Sequence, residues 1–238
     1  MNNIKCLYQD EYLIVINKPS GLLTHRSDID KYETQNAVDL LEQQVGKAVF
    51  PIHRLDKPTS GALVFALDKS TANKLSSDFV AQKIKKKYLA LVRGFTQEEA
   101  IIDYPLKVLW SSKNKTSQEA VTEYKRLIIT EIPYPVGKYQ TSRYSLLEVS
   151  PKTGRSRQIR RHLKHVFHPI VGDTAHGDGK HNTLFREQFN VYRLLLHAWK
   201  LEFIHPHSQE KISVTAPLDF VFKSVLEKLK MATSTFNL

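Results

Sequence analysis

Apolar and polar positions change over in short blocks along this chain, and the blocks predict strands more often than helices. Between Ile4 and Asn17 two apolar runs flank the polar Gln9, Asp10 and Glu11, the pattern of a hairpin. Pro19 and Gly21 in the NKPSG that follows force a turn. Residues 27–35 are polar and aperiodic, so they read as an exposed loop. Asn36 can cap a helix with Val38, Leu41 and Val45 on one face and Gly46 as its stop. The apolar run from Ala62 to Leu67 is the right length for a buried strand, and Asp68 or Ser70 can cap a second helix carrying Ala72, Leu75 and Phe79 at spacings of three and four.

The second half alternates in the same way. Tyr88, Ala90 and Val92 make a strand up to Gly94, and β-type runs follow at 100–110, 119–131 and 143–150. The basic SSKNKTSQ at 111–118 reads as a mobile loop, and residues 133–137 as a long turn. Gly154 opens a helix with Ile159, Leu163 and Val166 on one side and Arg157, Arg160, Arg161 and Lys164 on the other. Residues 168–177 are turn-rich, 182–190 suggest a short helix, 191–204 a long strand and 212–215 a final one. Pro217 suits the first turn of a last helix bearing Leu218, Phe222, Val225 and Leu229. Mixed elements with strands in the majority argue an α+β fold. With no repeat, low-complexity tract or linker, one domain over residues 1–238 is the simplest organisation.

Composition changes the picture at one point. Apolar residues make up 41% and charged residues 25%, ordinary values for a globular chain, whereas the formal net charge is +11. Such an excess attracts polyanions by releasing their counterions, so nucleic acid is the expected partner. No stretch is long and apolar enough to span a membrane, and the polar start lacks the centre of a signal peptide, which points to the cytoplasm. The single cysteine, Cys6, has no internal disulfide partner, and its neighbours Leu7 and Tyr8 predict a buried place in a core strand. No exposed apolar heptad pattern asks for a second copy, so a monomer is expected.

Candidate chemistry concentrates in PIHRLDKPTSGALVFAL at 51–67. Asp56 stands between Arg54 and Lys57 and just ahead of Pro58 and Gly61, so it belongs on a tight connection at the rim of a sheet. A carboxylate beside a guanidinium stays ionised at neutral pH and is available as nucleophile or base. On these residues alone, a surface ion pair in a turn accounts for the pattern more simply. The helix at 154–166 contains no acid, which favours contact with RNA over an ordinary amphipathic face. His162, His165 and His168 are spaced by three, unlike a chelating i, i+4 pair, and cations surround them, so no metal is expected there. Asp173, His176, Asp178 and His181 read as a turn network. Neither common Gly-rich phosphate loop occurs, and Ser60 lacks the frame of a nucleophile elbow.

HRLDKPTSG resembles the signature of the RluA-type pseudouridine synthases, which convert selected uridines of RNA to pseudouridine. The likeness extends in order through NKPSG, HRLDKPTSGALV, KKYLALVRG, PKTGRSRQIRRHL, HPIVGD with HG, and LLLHA. YQDEYLIVINKPSG, TSRYSLLEVSPKTGR and the doubled arginine of RRHLKH resemble members that act on tRNA in particular. The resemblance implies a mixed, mainly antiparallel central sheet with flanking helices, no cofactor and no metal, and tRNA as partner. The family often carries an N-terminal S4 domain, and the resemblance, which opens directly on the catalytic part, leads us to expect none here. Carried over position by position, Asp56 is the catalytic aspartate and Arg54 the arginine that enters the RNA stack. Tyr88 is the tyrosine that packs on the target base, and Arg160 the arginine that pairs with the acid. Leu196 and His197 fall in a block lining the pocket. Lys85, Lys86, Arg155, Arg157, Arg161 and Lys164 supply cations for the RNA backbone. Two positions depart from the family pattern: Arg157 stands where histidine is usual, and Lys57 where arginine is frequent. The alternatives are a synthase of ribosomal RNA, which would share every block, and a non-catalytic RNA-binding module.

Overall fold

Twelve strands and five helices form among the described residues of this computed structural model, which are 3–26, 34–109 and 116–231. In chain order the strands are β1 (Cys6–Gln9), β2 (Leu13–Lys18), β3 (Phe50–Pro51), β4 (Ser60–Ala66), β5 (Lys85–Arg93) and β6 (Glu99–Asp103). They continue with β7 (Leu106–Lys107), β8 (Ser117–Gln118), β9 (Val121–Ile132), β10 (Ser142–Pro151), β11 (Leu196–Ile204) and β12 (Lys211–Thr215). The helices are α1 (Ala37–Val45), α2 (Lys69–Val80), α3 (Gln158–His165), α4 (Gly179–Phe189) and α5 (Phe220–Lys228). The architecture is α+β, as the block pattern implies, and the pairing is mainly antiparallel, as the family resemblance implies.

The chain divides into two compact units, residues 1–86 with 197–217, and residues 87–196 with those after 217. In the first the strand order is β1-β2-β4-β11, with β3 beside β4 and β12 beside β11. β1–β2, β2–β4 and β11–β12 pair antiparallel, and β4–β11 parallel. All seven residues of β4 are buried, which is why the sequence from Ala62 onward reads as an unbroken apolar run. Asp68 caps α2 by accepting from the Thr71 N–H, and α2 then buries Leu75 against Leu13, Val64 and Phe203. α1 keeps its expected cap and stop: Asn36 accepts from the Asp39 N–H, a contact worth about 1 kcal/mol, and Gly46 ends the helix in the left-handed region.

In the second unit β5, β10, β9 and β6 lie side by side, antiparallel throughout. Ile159 and Leu163 of α3 pack on Ala90, Val92, Leu147 and Val149.

Several sequence expectations need correction. Cys6 is exposed, because β1 is the first strand in the order and β2 covers only one of its edges. Residues 110–115 lie outside the described residues, as do 27–33, but Ser117–Gln118 is a short strand on Leu106–Lys107 and not loop. The strand expected over 191–204 begins only at Leu196, after Arg193 has folded back to bond the carbonyls of Leu194 and Leu196. Pro217 precedes the last helix instead of starting it; Asp219 is the cap, accepting from the Phe222 N–H at 3.0 Å. Leu218, Phe222, Val225 and Leu229 are nonetheless all buried.

Candidate active site and RNA-facing surface

The connection carrying Asp56 is fixed by its backbone. The Thr59 N–H donates to the Asp56 carbonyl at 2.9 Å, closing a turn over Lys57 and Pro58, and the Asp56 residue itself is half-buried. The NKPSG turn grips the same connection from beside it. Gly21 N–H donates to the Lys57 carbonyl at 2.9 Å, Ser20 Oγ to the Pro58 carbonyl at 2.7 Å, and Thr24 Oγ1 exchanges bonds with both the N–H and the carbonyl of Leu55.

Lys18, the last residue of β2, is completely buried. Its ammonium donates to the carbonyls of Pro19 (2.9 Å), Leu22 (2.7 Å) and Lys57 (3.2 Å), so one side chain ties the two turns together. Sequence reasoning passed over Lys18 because lysines are seldom inside. The available signal was its place at the end of an apolar strand within NKPSG.

Around this turn the basic residues differ in exposure. Arg54 and Lys85 are exposed, whereas Lys86 is half-buried with Nζ 5.7 Å from the Phe79 ring centroid, and burial lowers its pKa. His53 stacks on Phe79 at 4.6 Å and accepts from the Val64 N–H at 3.4 Å. Desolvation, helped by the Lys86 charge, pushes its pKa down to about 3. The ring is therefore neutral at working pH and serves as packing surface and acceptor.

His197 is 1% exposed and faces Ser60 across the β4–β11 pair. Its Nε2 lies 3.0 Å from the Ala216 carbonyl, which can only accept, so the Ser60 hydroxyl donates to Nδ1 at 2.8 Å. Gly61 is required beside it: its φ is +115°, and a Cβ there would sit inside van der Waals contact of the Ala198 carbonyl. Leu196 is buried with Ala90 and Leu194.

In the second unit Tyr88 stands half-buried in β5 opposite Val149 of β10. Arg160 corrects the expected cationic face. It lies three residues before Leu163 and shares that buried side of α3, not the side of Arg161 and Lys164. Its charge is met there by Asp173, with Nε to Oδ2 at 2.7 Å and Nη2 to Oδ1 at 2.8 Å. Asp173 also accepts from the N–H groups of Ala175 and His176, and Asp178 caps α4 and pairs with Arg93. The expected turn network is thus present, with the Arg160 partnership added to it.

The helix itself starts at Gln158, not Gly154. Arg157 precedes it in the left-handed region, and the Gln158 carboxamide oxygen takes the Arg155 N–H. Arg161 and Arg157 are half-buried, Arg155 and Lys164 exposed. His162 is fully buried, its ring nitrogens 2.9 Å from Thr122 Oγ1 and from the Tyr104 carbonyl. Among the described residues no group of three potential metal ligands comes together, and no helix is long and apolar enough to cross a membrane.

Residues 12–165 match the family described as RNA pseudouridylate synthase. The chain belongs to that family. Its relatives include tRNA pseudouridine synthase C of Vibrio vulnificus, 49% identical over 234 residues and covering 95% of this chain and 96% of the relative. The Haemophilus influenzae protein of the same name is 47% identical over 232 residues, covering 94% and 97%. Two solved human structures share the fold. RNA Pseudouridylate Synthase Domain Containing 4 has a TM-score of 0.74 at 24% identity, covering 95% of this chain and 93% of its own. RNA Pseudouridylate Synthase Domain Containing 1 has a TM-score of 0.71 at 22% identity, covering 97% and 96%. An RNA pseudouridylate synthase is an isomerase.

Proposed function

We propose that this chain converts uridine to pseudouridine in tRNA, at uridine 65, and that Asp56 is the group that starts the reaction. The observation that carries the reading is the turn around Asp56, tied down by buried Lys18 and by Ser20 and Thr24, which holds a carboxylate on a rigid connection. Identity of 47–49% to proteins named tRNA pseudouridine synthase C supports tRNA as the substrate, and the resemblance to that member supports the position.

The chemistry needs little besides these side chains. The C1′–N1 bond of uridine breaks, the freed uracil turns, and C5 bonds to C1′; the proton leaving C5 is balanced by one gained at N1. There is no net redox change. Asp56 acts either by attack on C1′ or by removing the 2′ proton. Tyr88 stacks under the detached ring and helps take the C5 proton. Arg160 is the cation that its sequence block assigns to the acid, and Leu196 and His197 belong to the pocket wall. A paired uridine must leave its helix, at a cost of a few kcal/mol, and Arg54 fills the gap. Lys85, Lys86, Arg155, Arg157, Arg161 and Lys164 bind the backbone.

Mapping pseudouridine in bulk tRNA and rRNA from cells with and without the gene tests the reading. Loss at tRNA position 65 alone supports it. Loss in rRNA instead, or no loss at all, overturns it.

A further inference from the structure

The cationic side of α3 ends in a pair of rings that no catalytic step uses. Tyr104, 43% exposed, stacks on His165 with ring centroids 3.6 Å apart and planes 18° from parallel. His165 is exposed as well, so the stack stands at the surface. It is braced from below: the Tyr104 carbonyl is held by buried His162, and the Tyr104 N–H donates to the Ala120 carbonyl at 3.2 Å. Next to it Arg161 is anchored by its own bond to the Lys107 carbonyl at 2.9 Å, and Arg155 by one to the Glu119 carbonyl at 2.9 Å.

α3 has no acid, and its cations crowd one another. Burial lowers the Arg161 pKa, and the charge of Arg157 lowers it further. Asp103 is near enough to be felt by His162, but burial, His165 and Arg161 together outweigh it. A positive surface kept at that cost is complementary to a polyanion, and a flat ring pair beside it is complementary to a base.

We infer that Tyr104 and His165 form a stacking platform for an unpaired or splayed nucleotide of the substrate RNA, with Arg161 and Lys164 on the flanking phosphates. The inference rests on the RNA-modifying reading above and adds to it a contact made by π-faces.

The two halves of such a contact respond differently to salt. Phosphate contacts weaken as counterions accumulate, with a slope of about 0.7–0.9 per phosphate, while stacking does not. Binding of unmodified tRNA is measured from low to high salt for the native chain, Tyr104→Phe, Tyr104→Leu and Arg161→Ala/Lys164→Ala. Tyr104→Leu keeps an apolar cover on α3 but removes the π-face; it is expected to bind about 5- to 150-fold more weakly with an unchanged salt slope. Tyr104→Phe should bind like the native chain. The double cation variant should lose about 1.4–1.8 from the slope. Native affinity in Tyr104→Leu would overturn the platform, whether the surface is idle or receives a protein. A native chain that fails to bind tRNA at all would overturn the substrate reading instead.

Discussion

Replacing Asp173 by asparagine removes one charge from a buried ion pair and leaves its shape. The side chains of Arg160 and Asp173 are 5% and 1% exposed, joined by two hydrogen bonds of 2.7 and 2.8 Å. The turn is built to hold that carboxylate. Ala175 and His176 donate N–H groups at 3.0 and 2.9 Å, Asn182 Nδ2 donates to the Asp173 carbonyl at 2.9 Å, and Asn182 Oδ1 takes the Gly172 N–H at 2.8 Å. Gly172 adopts φ +78° where any Cβ would collide with the Arg193 carbonyl. Asp173→Asn breaks this buried ion pair and its two charged hydrogen bonds, so it should lower unfolding free energy by about 3–5 kcal/mol at neutral pH. Replacing both, as Arg160→Met with Asp173→Leu, should recover most of that loss. The acid limb gives a second reading. Burial alone would raise the Asp173 pKa, but the hydrogen bond and charge of Arg160 and the two N–H donors bring it below the ordinary carboxylate value. Its stabilisation is therefore complete above the unfolded pKa of about 4 and is lost as pH falls through the lower folded value. Urea unfolding followed by circular dichroism, at pH 7 and in steps down to about pH 3, measures both. A loss under about 1 kcal/mol at pH 7, or a gap between native and variant that does not narrow on the acid side, would refute the reasoning.

Other outcomes follow from single contacts. Lys18→Met leaves the carbonyls of Pro19, Leu22 and Lys57 without their ammonium, and at about 1–3 kcal/mol for an unsatisfied buried group it should cost stability and slow single-turnover pseudouridine formation. Gly61→Ala should destabilise by at least ~1–3 kcal/mol, seen as a lower thermal midpoint, since φ +115° and the Ala198 carbonyl both exclude a side chain. Cys6, exposed on β1, should react with an aromatic disulfide reagent without denaturant, whereas a buried thiol would react only after unfolding.

Much of this arrangement is legible in the sequence wherever a local rule decides it. Asn36 and Gly46 bracket α1 as the capping rules require, Asp68 starts α2, and the unbroken apolar run before it becomes the fully buried β4. Reading failed where long-range contacts override a local pattern. Arg160 sits among cations in sequence, but Asp173 lies thirteen residues on and draws it into the core. Lys18 is hidden because three carbonyls from two separate turns converge on it, and no spacing in the chain announces that. The strand expected from residue 191 starts late because Arg193 bonds its own following backbone. Around Asp56, sequence marks the tight turn through Pro58 and Gly61 but not the grip of the NKPSG segment upon it.

The most direct measurement is pseudouridine formation in unmodified tRNA by the Asp56→Asn chain, with tRNA binding measured on the same preparation. The account predicts native-like binding and no detectable product. Turnover within about tenfold of the native chain, less than 1.4 kcal/mol in barrier, would contradict it.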